Sequence, residues 1–233
     1  MPKIAIMQPY IFPYIGYFQL INAVDKFVVL DDVNYINKGW INRNSILVNG
    51  KGNLFTIPLK EASQNKLINE IYISDEPKWK INFLKTIQQN YKKASHFGIV
   101  YPIIEEIVNS INSKISAFNY YAIIKINNYL GIKTEIISTS SMYGNCALKA
   151  QNKIIDICKK ENATIYINPI GGVELYNRED FTDKNLELFF IKSNDIKYLQ
   201  FSNDFSPWLS IIDVMMFNSP QTITNFLEQY TLV

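Results

Sequence analysis

A pair of aspartates is the first feature of the sequence that could do chemistry. Asp31 and Asp32 directly follow an apolar run from Lys26 to Leu30, which has the length of a buried strand. Carboxylates in this position could accept a proton from a substrate, bind Mg²⁺, cap a helix or form an ion pair. We expect Asp31 or Asp32 to be a general base, with a helix cap or an ion pair as the structural alternative.

Large polar and aromatic side chains crowd the segment just downstream of the aspartates. Arg43 is one of only two arginines in the chain and could bind a phosphate through two parallel hydrogen bonds. Trp40 could stack on a ring, or it could simply anchor a solvated loop. We predict a binding wall, with Lys38 and Arg43 as a diphosphate clamp. The predicted wall consists of Lys38, Trp40, Asn42, Arg43 and Asn44.

The chain opens with a short apolar run, Lys3 to Met7, which the sequence Gln8-Pro9 ends because proline cannot donate to a central ladder. Pro13 suits the first turn of a following helix. In open α/β sheets ligands bind outside the carboxyl ends of the strands, so this loop and the aspartate pair should face one crevice. The binding residues predicted here are Gln8, Tyr10, Tyr14, Gly16 and Tyr17.

Two later strands also end in residues that suit ligand binding. The run Thr134 to Ile137 leads into serines, which could hydrogen-bond phosphate oxygens or cap the next helix. The run Thr164 to Ile167 leads into adjacent glycines, whose amides could stabilise an oxyanion or simply make a turn. The candidates are Ser140, Ser141, Asn168, Gly171, Gly172 and Tyr176.

The tail carries a predicted apolar helix from Trp208 to Phe217, introduced by Ser206-Pro207. Asp213 lies inside it and should pair with Arg43, Arg178, a lysine or backbone amides, because an unpaired buried carboxylate is costly. Trp208 and Asp213 complete the candidate site. The apolar face could be core or a dimer surface, so a homodimer stays open.

Strands alternate with helices over most of the chain, which predicts an α/β fold with a mainly parallel sheet and helices on both faces. A β-hairpin insertion, 34–60, pairs Ser45 to Val48 with Leu54 to Leu59 around Asn49-Gly50. A helical segment, 75–131, includes a long helical stretch from Tyr101 to Leu130, capped by Gly131. With 233 residues, 48% of them hydrophobic, we expect one domain, 1–233.

Composition excludes several classes of function. A net charge of +2 is too weak for a nucleic-acid-binding surface. The absence of an apolar run of about 18 residues, and of a signal-peptide pattern, predicts a soluble cytoplasmic protein. Cys146, Cys158 and His96 are too few for a disulfide framework or a His/Cys metal site, so we assign no metal ligands.

Several segments together resemble the WbqC-like family. They are QPYIFPYIGYFQLI, DDVNYINKGWINRN, YINPIGGVELY and FSPWLSIIDVMMFN, which appear in that order over nearly the whole chain. The resemblance implies a bacterial role in the biosynthesis of O-antigen, the lipopolysaccharide chain, or of other surface polysaccharides. It also implies the addition of glycine to an amino sugar.

The opening segment is similar to Rossmann-like nucleotide-binding folds of the HIGH type. Pro13 to Tyr17 stands where those folds carry their histidine motif, with tyrosines in place of the histidines. Neutral phenols stabilise charge developing on phosphates less well than imidazoles do. The resemblance therefore implies nucleotide binding more strongly than nucleotidyl transfer.

Our leading hypothesis is an acyl or aminoacyl transferase, such as a glycyl transferase, that modifies the amino group of a nucleotide-linked deoxyamino sugar. The donor stays open, and ATP with Mg²⁺ remains an option. Nucleic acid is expected as a partner only if an aminoacyl-tRNA is the donor. The alternatives are an ATP-dependent ligase or nucleotidyltransferase of the same pathway, and a noncatalytic sugar-nucleotide-binding or assembly protein.

Overall fold

The computed structural model describes residues 1–201 and 204–233. The strands are β1 Lys3–Met7, β2 Lys26–Val29, β3 Arg43–Val48, β4 Lys51–Thr56, β5 Leu59–Lys60, β6 Tyr72–Ile73, β7 Glu135–Ile137, β8 Ile165–Pro169, β9 Glu187–Ser193 and β10 Tyr230–Leu232. The α-helices are α1 Ile15–Asn22, α2 Lys78–Tyr91, α3 Phe97–Val108, α4 Ile115–Leu130, α5 Ala150–Lys160, α6 Arg178–Thr182, α7 Ile211–Phe217 and α8 Pro220–Leu227. Short 3₁₀ turns cover Ile68–Glu70, Ser140–Tyr143 and Ile170–Leu175.

A six-stranded sheet in the order β10-β9-β8-β1-β2-β7 forms the centre of the molecule. All neighbouring pairs in it are parallel except β10 with β9, so the predicted mainly parallel sheet is confirmed. Numbered along the chain, the five parallel strands have the spatial order 3-2-1-4-5. The order reverses between β1 and β8, which is where α/β sheets open a crevice at their carboxyl edge.

Both faces of the sheet are covered, because successive strand residues point to opposite sides. Ala5 of β1 belongs to the larger core, which includes α1, α4 and α8. Its neighbours Ile4 and Ile6 belong to a second core with α5 and α6. In the described ranges no helix is long and apolar enough to cross a membrane.

The predicted hairpin is present with different limits. Its Asn49-Gly50 turn has positive φ at both residues, which explains the sequence at that turn. Strand β4 ends at Thr56, and Leu59 belongs instead to β5, which pairs with β6. Pro58 separates the two strands because it has no N–H for the β3–β4 ladder.

The long helical stretch predicted from Tyr101 to Leu130 is wrong. It is two helices, α3 and α4, and Ile111 between them is fully exposed instead of lying in the core. The polar residues from Asn109 to Ser113 end α3, since short polar side chains compete with helical backbone hydrogen bonds. The predicted cap at Gly131 is confirmed by its φ of 73°.

Three other helices begin later than the sequence predicts. Helix α1 starts after Tyr14, so Pro13 precedes its first turn. The helical pattern of the sequence predicts a helix from Ala147 to Lys160, and helix α5 starts instead at Ala150. Helix α7 begins after Ser210, whose side chain caps it. Trp208 lies outside the helix, because its left-handed φ of 59° is not a helical backbone conformation.

The loop from Gln8 to Pro13 is held by donors from distant parts of the chain. The side-chain amide of Asn44 donates to the carbonyls of Ile11 and Phe12 at 3.1 and 2.8 Å. Asn119 of α4 donates to Pro9 O at 3.0 Å and to Ile41 O at 2.8 Å. The hydroxyl of Ser210 also donates to Phe12 O at 2.7 Å. The loop therefore fixes the hairpin, the helical segment and the tail relative to β1.

Asn119→Ala should destabilise the protein by about 2–6 kcal/mol, because it leaves two buried carbonyls without a donor at about 1–3 kcal/mol each. Urea unfolding followed by circular dichroism measures the change. Asn128→Ala is the control, since Asn128 is exposed on the same helix and should change the free energy of unfolding by less than about 0.5 kcal/mol. Equal stabilities for the two variants would contradict the role given to Asn119.

Candidate functional site

The aspartate pair and the serine turn form one hydrogen-bonded unit at the carboxyl ends of β2 and β7. Oδ1 of Asp31 accepts from Thr139 Oγ1 at 2.7 Å and from Ser140 N at 3.2 Å. The hydroxyl of Ser140 accepts from Asp31 N at 3.1 Å and donates to Oδ1 of Asp32. Neighbouring parallel strands thus bring together residues that are more than 100 positions apart in the sequence.

Lys153 of α5 forms a buried ion pair with Asp32. Its Nζ lies 2.7 Å from Asp32 Oδ2, and the two side chains are only 3% and 6% exposed. The same Nζ donates to Asn145 Oδ1 at 2.9 Å. The charge of Asp32 is therefore compensated inside the protein. Sequence reasoning missed Lys153, although a lysine next to Ile154 and Ile155 on a helix face was a visible signal.

Asp31 has a different environment from Asp32. Its Oδ1 is held by the serine turn, whereas Oδ2 has no hydrogen-bond partner in the part of the chain that the structure describes. Burial raises the pKa of the Asp31 carboxyl, and the nearby charge of Asp32 adds to this effect, while the hydrogen bonds from Thr139 and Ser140 oppose it. Asp31 thus differs from Asp32 in having a raised pKa and an oxygen that the described residues leave without a hydrogen bond.

A cavity of about 430 Å³ opens beside Asp31, and we call it the Asp31 cavity. Helix α4 and the 3₁₀ turn Ile68–Glu70 supply its other walls, including the cation Lys114 and the phenol Tyr120. Asn69 Nδ2 donates to Ser141 Oγ at 2.9 Å and so links the turn Ile68–Glu70 to the serine turn. The complete lining is Asp31, Asn69, Glu70, Lys114, Ser116, Ala117, Tyr120, Ser138 and Thr139.

Tyr14 and Trp208 line a different cavity, of about 660 Å³, which we call the Trp208 cavity. It lies at the end of β9, whereas Asp31 follows β2, three strand positions away in the sheet. With a strand spacing of about 4.8 Å this separation is roughly 14 Å. The single crevice that the sequence predicts is therefore divided between two cavities that share no lining residue.

The other residues of the opening loop support its conformation. Tyr17 donates from its phenol to Gln8 O at 2.9 Å and is buried. Burial raises the pKa of Tyr10 to about 12, and the neighbouring Tyr14 adds to the shift, so Tyr10 stays neutral at physiological pH. The Tyr14 ring lies over Gly16, where any Cβ would overlap it. This overlap explains the glycine in the first turn of α1.

Most side chains of the predicted binding wall donate hydrogen bonds to backbone carbonyls of the protein itself. Arg43 donates to Gly39 O at 3.0 Å and to Lys38 O, and its guanidinium carbon lies 5.8 Å from the centre of the Trp40 ring. Asn42 is buried and donates to Ile57 O at 2.8 Å, while Asn44 holds the opening loop. Within the described residues, neither cavity includes a side chain of this wall.

The glycine pair follows β8, on the far side of β1 from Asp31. A Cβ at Gly172 would overlap the side-chain amide of Asn168, whose oxygen accepts from Tyr166 OH at 3.1 Å. Tyr176 packs against Tyr166 with ring centres 5.8 Å apart. The backbone at Gly171 has open space around it. Asn168 and Tyr176 thus shape this turn from the inside.

Asp213 has neutral partners, so the expectation of a cationic or backbone partner is wrong. Tyr91 OH donates to Oδ1 at 2.8 Å, while Tyr198 OH and Gln200 Nε2 donate to Oδ2 at 2.6 and 2.8 Å. Burial raises the pKa of Asp213, and these hydrogen bonds oppose the shift. The carboxylate connects α2 with the tail, which places it in the scaffold.

Residues 1–201 and 204–233 contain no group of three or more histidine, cysteine, aspartate or glutamate side chains placed to hold a metal ion. Asp31 and Asp32 therefore have no third acidic or imidazole ligand in this part of the chain.

Lys153→Met should destabilise the protein by about 3–5 kcal/mol, because it leaves the charge of Asp32 buried without a partner. The double variant Lys153→Met/Asp32→Asn should recover part of the loss, since the uncompensated charge is gone. Lys159→Met, at an exposed position of the same helix, is the control. Thermal and urea unfolding of the four proteins measures the effect, and a Lys153→Met variant as stable as the wild type would contradict it.

Comparison with known proteins identifies the family. The model of the WbqC-like protein family matches residues 8–225, a range that runs from the loop after β1 into α8. The chain is also similar to an uncharacterized protein of Mycobacterium tuberculosis, Rv1507c, with 27% identity over 231 residues and 98% of each chain covered. No solved structure is significantly similar to the chain. The protein belongs to the WbqC-like protein family.

Proposed function

We propose that the protein is an acyl or aminoacyl transferase that modifies the amino group of a nucleotide-linked deoxyamino sugar, with Asp31 as its general base. The observation that carries this proposal is the free Oδ2 of Asp31, a carboxylate with a raised pKa at the wall of a cavity. Catalytic bases work best when their pKa approaches the working pH. The chain belongs to the WbqC-like family, and the resemblance to that family implies the surface-polysaccharide pathway that we propose.

The proposed reaction needs one proton acceptor and an activated acyl donor. Asp31 Oδ2 takes a proton from the sugar ammonium, and the freed lone pair attacks the carbonyl carbon of the donor. A C–N bond forms, the nitrogen gives its second proton to the leaving group, and the bond from the carbonyl carbon to the leaving group breaks with its electron pair. The leaving group departs protonated, and Asp31 then returns the first proton to solvent. Asp32 is paired with Lys153, so the base that we propose is Asp31. Thr139 and Ser140 hold Oδ1 and orient the carboxylate.

The sheet topology supports binding of the nucleotide part. The order 3-2-1-4-5 is that of the first five strands in Rossmann-like sheets, which bind nucleotides at their carboxyl edge. Lys114 lines the Asp31 cavity and could bind the diphosphate there. To form the diphosphate clamp with Lys38, Arg43 would have to break its hydrogen bonds to the carbonyls of its own turn. The amides of Gly171 and Gly172, our predicted oxyanion donors, follow β8, two strand positions or roughly 10 Å from β2, and line neither cavity, so they would have to move toward Asp31 to take that role.

The same topology favours an ATP-dependent ligase as the second candidate. This reaction would release pyrophosphate or phosphate, whereas transfer from a thioester or an aminoacyl ester would not. Incubation with UDP- and dTDP-amino sugars and glycine plus ATP, acyl-CoA or aminoacyl-tRNA, followed by mass spectrometry, separates the candidates. Sugar-nucleotide binding without a mass shift for any donor would support a noncatalytic protein.

Asp31→Asn should lower the turnover number by about 10²–10⁴, the usual contribution of a general base. The fold should persist, because the asparagine oxygen can still accept from Thr139 and Ser140. Asp183→Asn is the matched control, since Asp183 is exposed and remote from both cavities. Steady-state kinetics with the acceptor found by mass spectrometry measures the effect. Unchanged turnover in Asp31→Asn would reject the assignment of the base.

A further inference from the structure

The Trp208 cavity lies outside the proposed reaction centre and combines aromatic and charged walls. It is formed by the end of β9, the start of α1 and the segment that leads to α7. Its volume of about 660 Å³ falls in the range of cavities that bind small molecules. The cavity can therefore accept a ligand independently of the chemistry at Asp31.

An exposed indole forms one wall of this cavity. Trp208 is 69% exposed, and its left-handed φ of 59° is unfavourable for a large side chain. Its ring lies 6.1 Å from that of Tyr14, at an interplanar angle of 59°. The two rings are therefore steeply inclined to each other and do not stack in parallel. This shape suits a ring with one apolar face and a polar edge.

Charged side chains without protein partners form the polar part of the cavity. In the described ranges, the side chains of Asp195, Lys197 and Asp204 make no hydrogen bond or ion pair, and each lines the cavity. One lysine and two aspartates give a local charge of 1 − 2 = −1. This balance disfavours a phosphate and favours hydroxyl or ammonium groups, which donate hydrogen bonds to carboxylates.

We propose that the Trp208 cavity is a carbohydrate subsite that binds a pyranose ring, either neutral or carrying an amino group. The apolar face of the sugar lies on the indole of Trp208. Its hydroxyl or ammonium groups donate to Asp195 and Asp204. The subsite lies at the end of β9, three strand positions or roughly 14 Å from β2, the strand that Asp31 follows. The proposal does not depend on Asp31 being a base.

Binding of simple glycosides tests the proposal. Methyl glycosides of glucose, galactose and 2-amino-2-deoxyglucose are titrated into the full chain, with UMP as the nucleotide probe. Saturation-transfer NMR detects the bound ligands, and tryptophan fluorescence gives the dissociation constants. We expect the glycosides to bind, with the amino glycoside tightest, and UMP not to compete with them.

Trp208→Ala should raise the dissociation constants of the glycosides at least about tenfold, which corresponds to about 1.4 kcal/mol. Trp40→Ala is the matched control, because Trp40 is likewise an exposed tryptophan and lies outside the cavity. The variant Asp195→Asn/Asp204→Asn should weaken the amino glycoside selectively. Saturation-transfer NMR is used for Trp208→Ala, since its fluorescence signal is altered.

Three results would overturn the subsite. They are the absence of glycoside binding, equal affinity in Trp208→Ala and wild type, and displacement of the glycosides by UMP. Asp31→Asn should bind the glycosides as the wild type does, so that a failure of the subsite is distinguishable from a failure of the proposed transfer reaction.

Discussion

The buried carbonyl groups of the loop after β1 are the constraint on which the rest of the structure depends. Ile11 and Phe12 are fully buried, so their carbonyls need donors inside the protein. The donors come from Asn44 and Ser210, which belong to the hairpin and the tail. An unpaired buried carbonyl costs about 1–3 kcal/mol, which makes this loop sensitive to the loss of any donor. The carboxyl edge of the sheet is positioned by these hydrogen bonds.

The two aspartates look equivalent in the sequence, but their electrostatic environments in the structure differ. Lys153 compensates the charge of Asp32, and Ser140 connects the two carboxylates. Asp31 lies at a cavity wall with one oxygen that makes no hydrogen bond to residues 1–201 or 204–233, and its pKa is raised chiefly by burial. Two adjacent carboxylates in different environments can take separate roles, here an ion pair and a proposed base. The central claim of this account is that Asp31 is the reactive member of the pair.

Local sequence signals predicted the elements whose causes are themselves local. The Asn49-Gly50 turn, the Gly131 cap and the parallel strands depend on backbone conformation and hydrophobic pattern within a few residues. The break between α3 and α4 was not predicted, because the isoleucines continue the helical pattern through it. Ile111 is part of that pattern but is fully exposed. Competition between the polar residues and the helix backbone decided that break.

Contacts between distant residues account for what the sequence could not predict of the site. Lys153 is 121 positions from Asp32, and a sequence pattern alone does not join a helix residue to the end of another strand. Asn42, Asn44 and Arg43 looked like ligand-binding groups because their donors are visible in sequence. Their acceptors are backbone carbonyls of the loops, which no residue type reveals. The proximity of Asp31 to the serine turn was expected, because the two segments follow strands of one parallel sheet at its carboxyl edge.

The most direct test of the central claim is an NMR titration of the Asp31 side-chain carboxyl carbon in the folded wild-type protein, assigned with Asp31→Asn. The account predicts a pKa above the ordinary aspartate value of about 3.9, since burial of Asp31 outweighs its hydrogen bonds. A pKa at or below that value would contradict it, because the carboxylate would then be stabilised as an anion and unsuited to accept a proton near neutral pH.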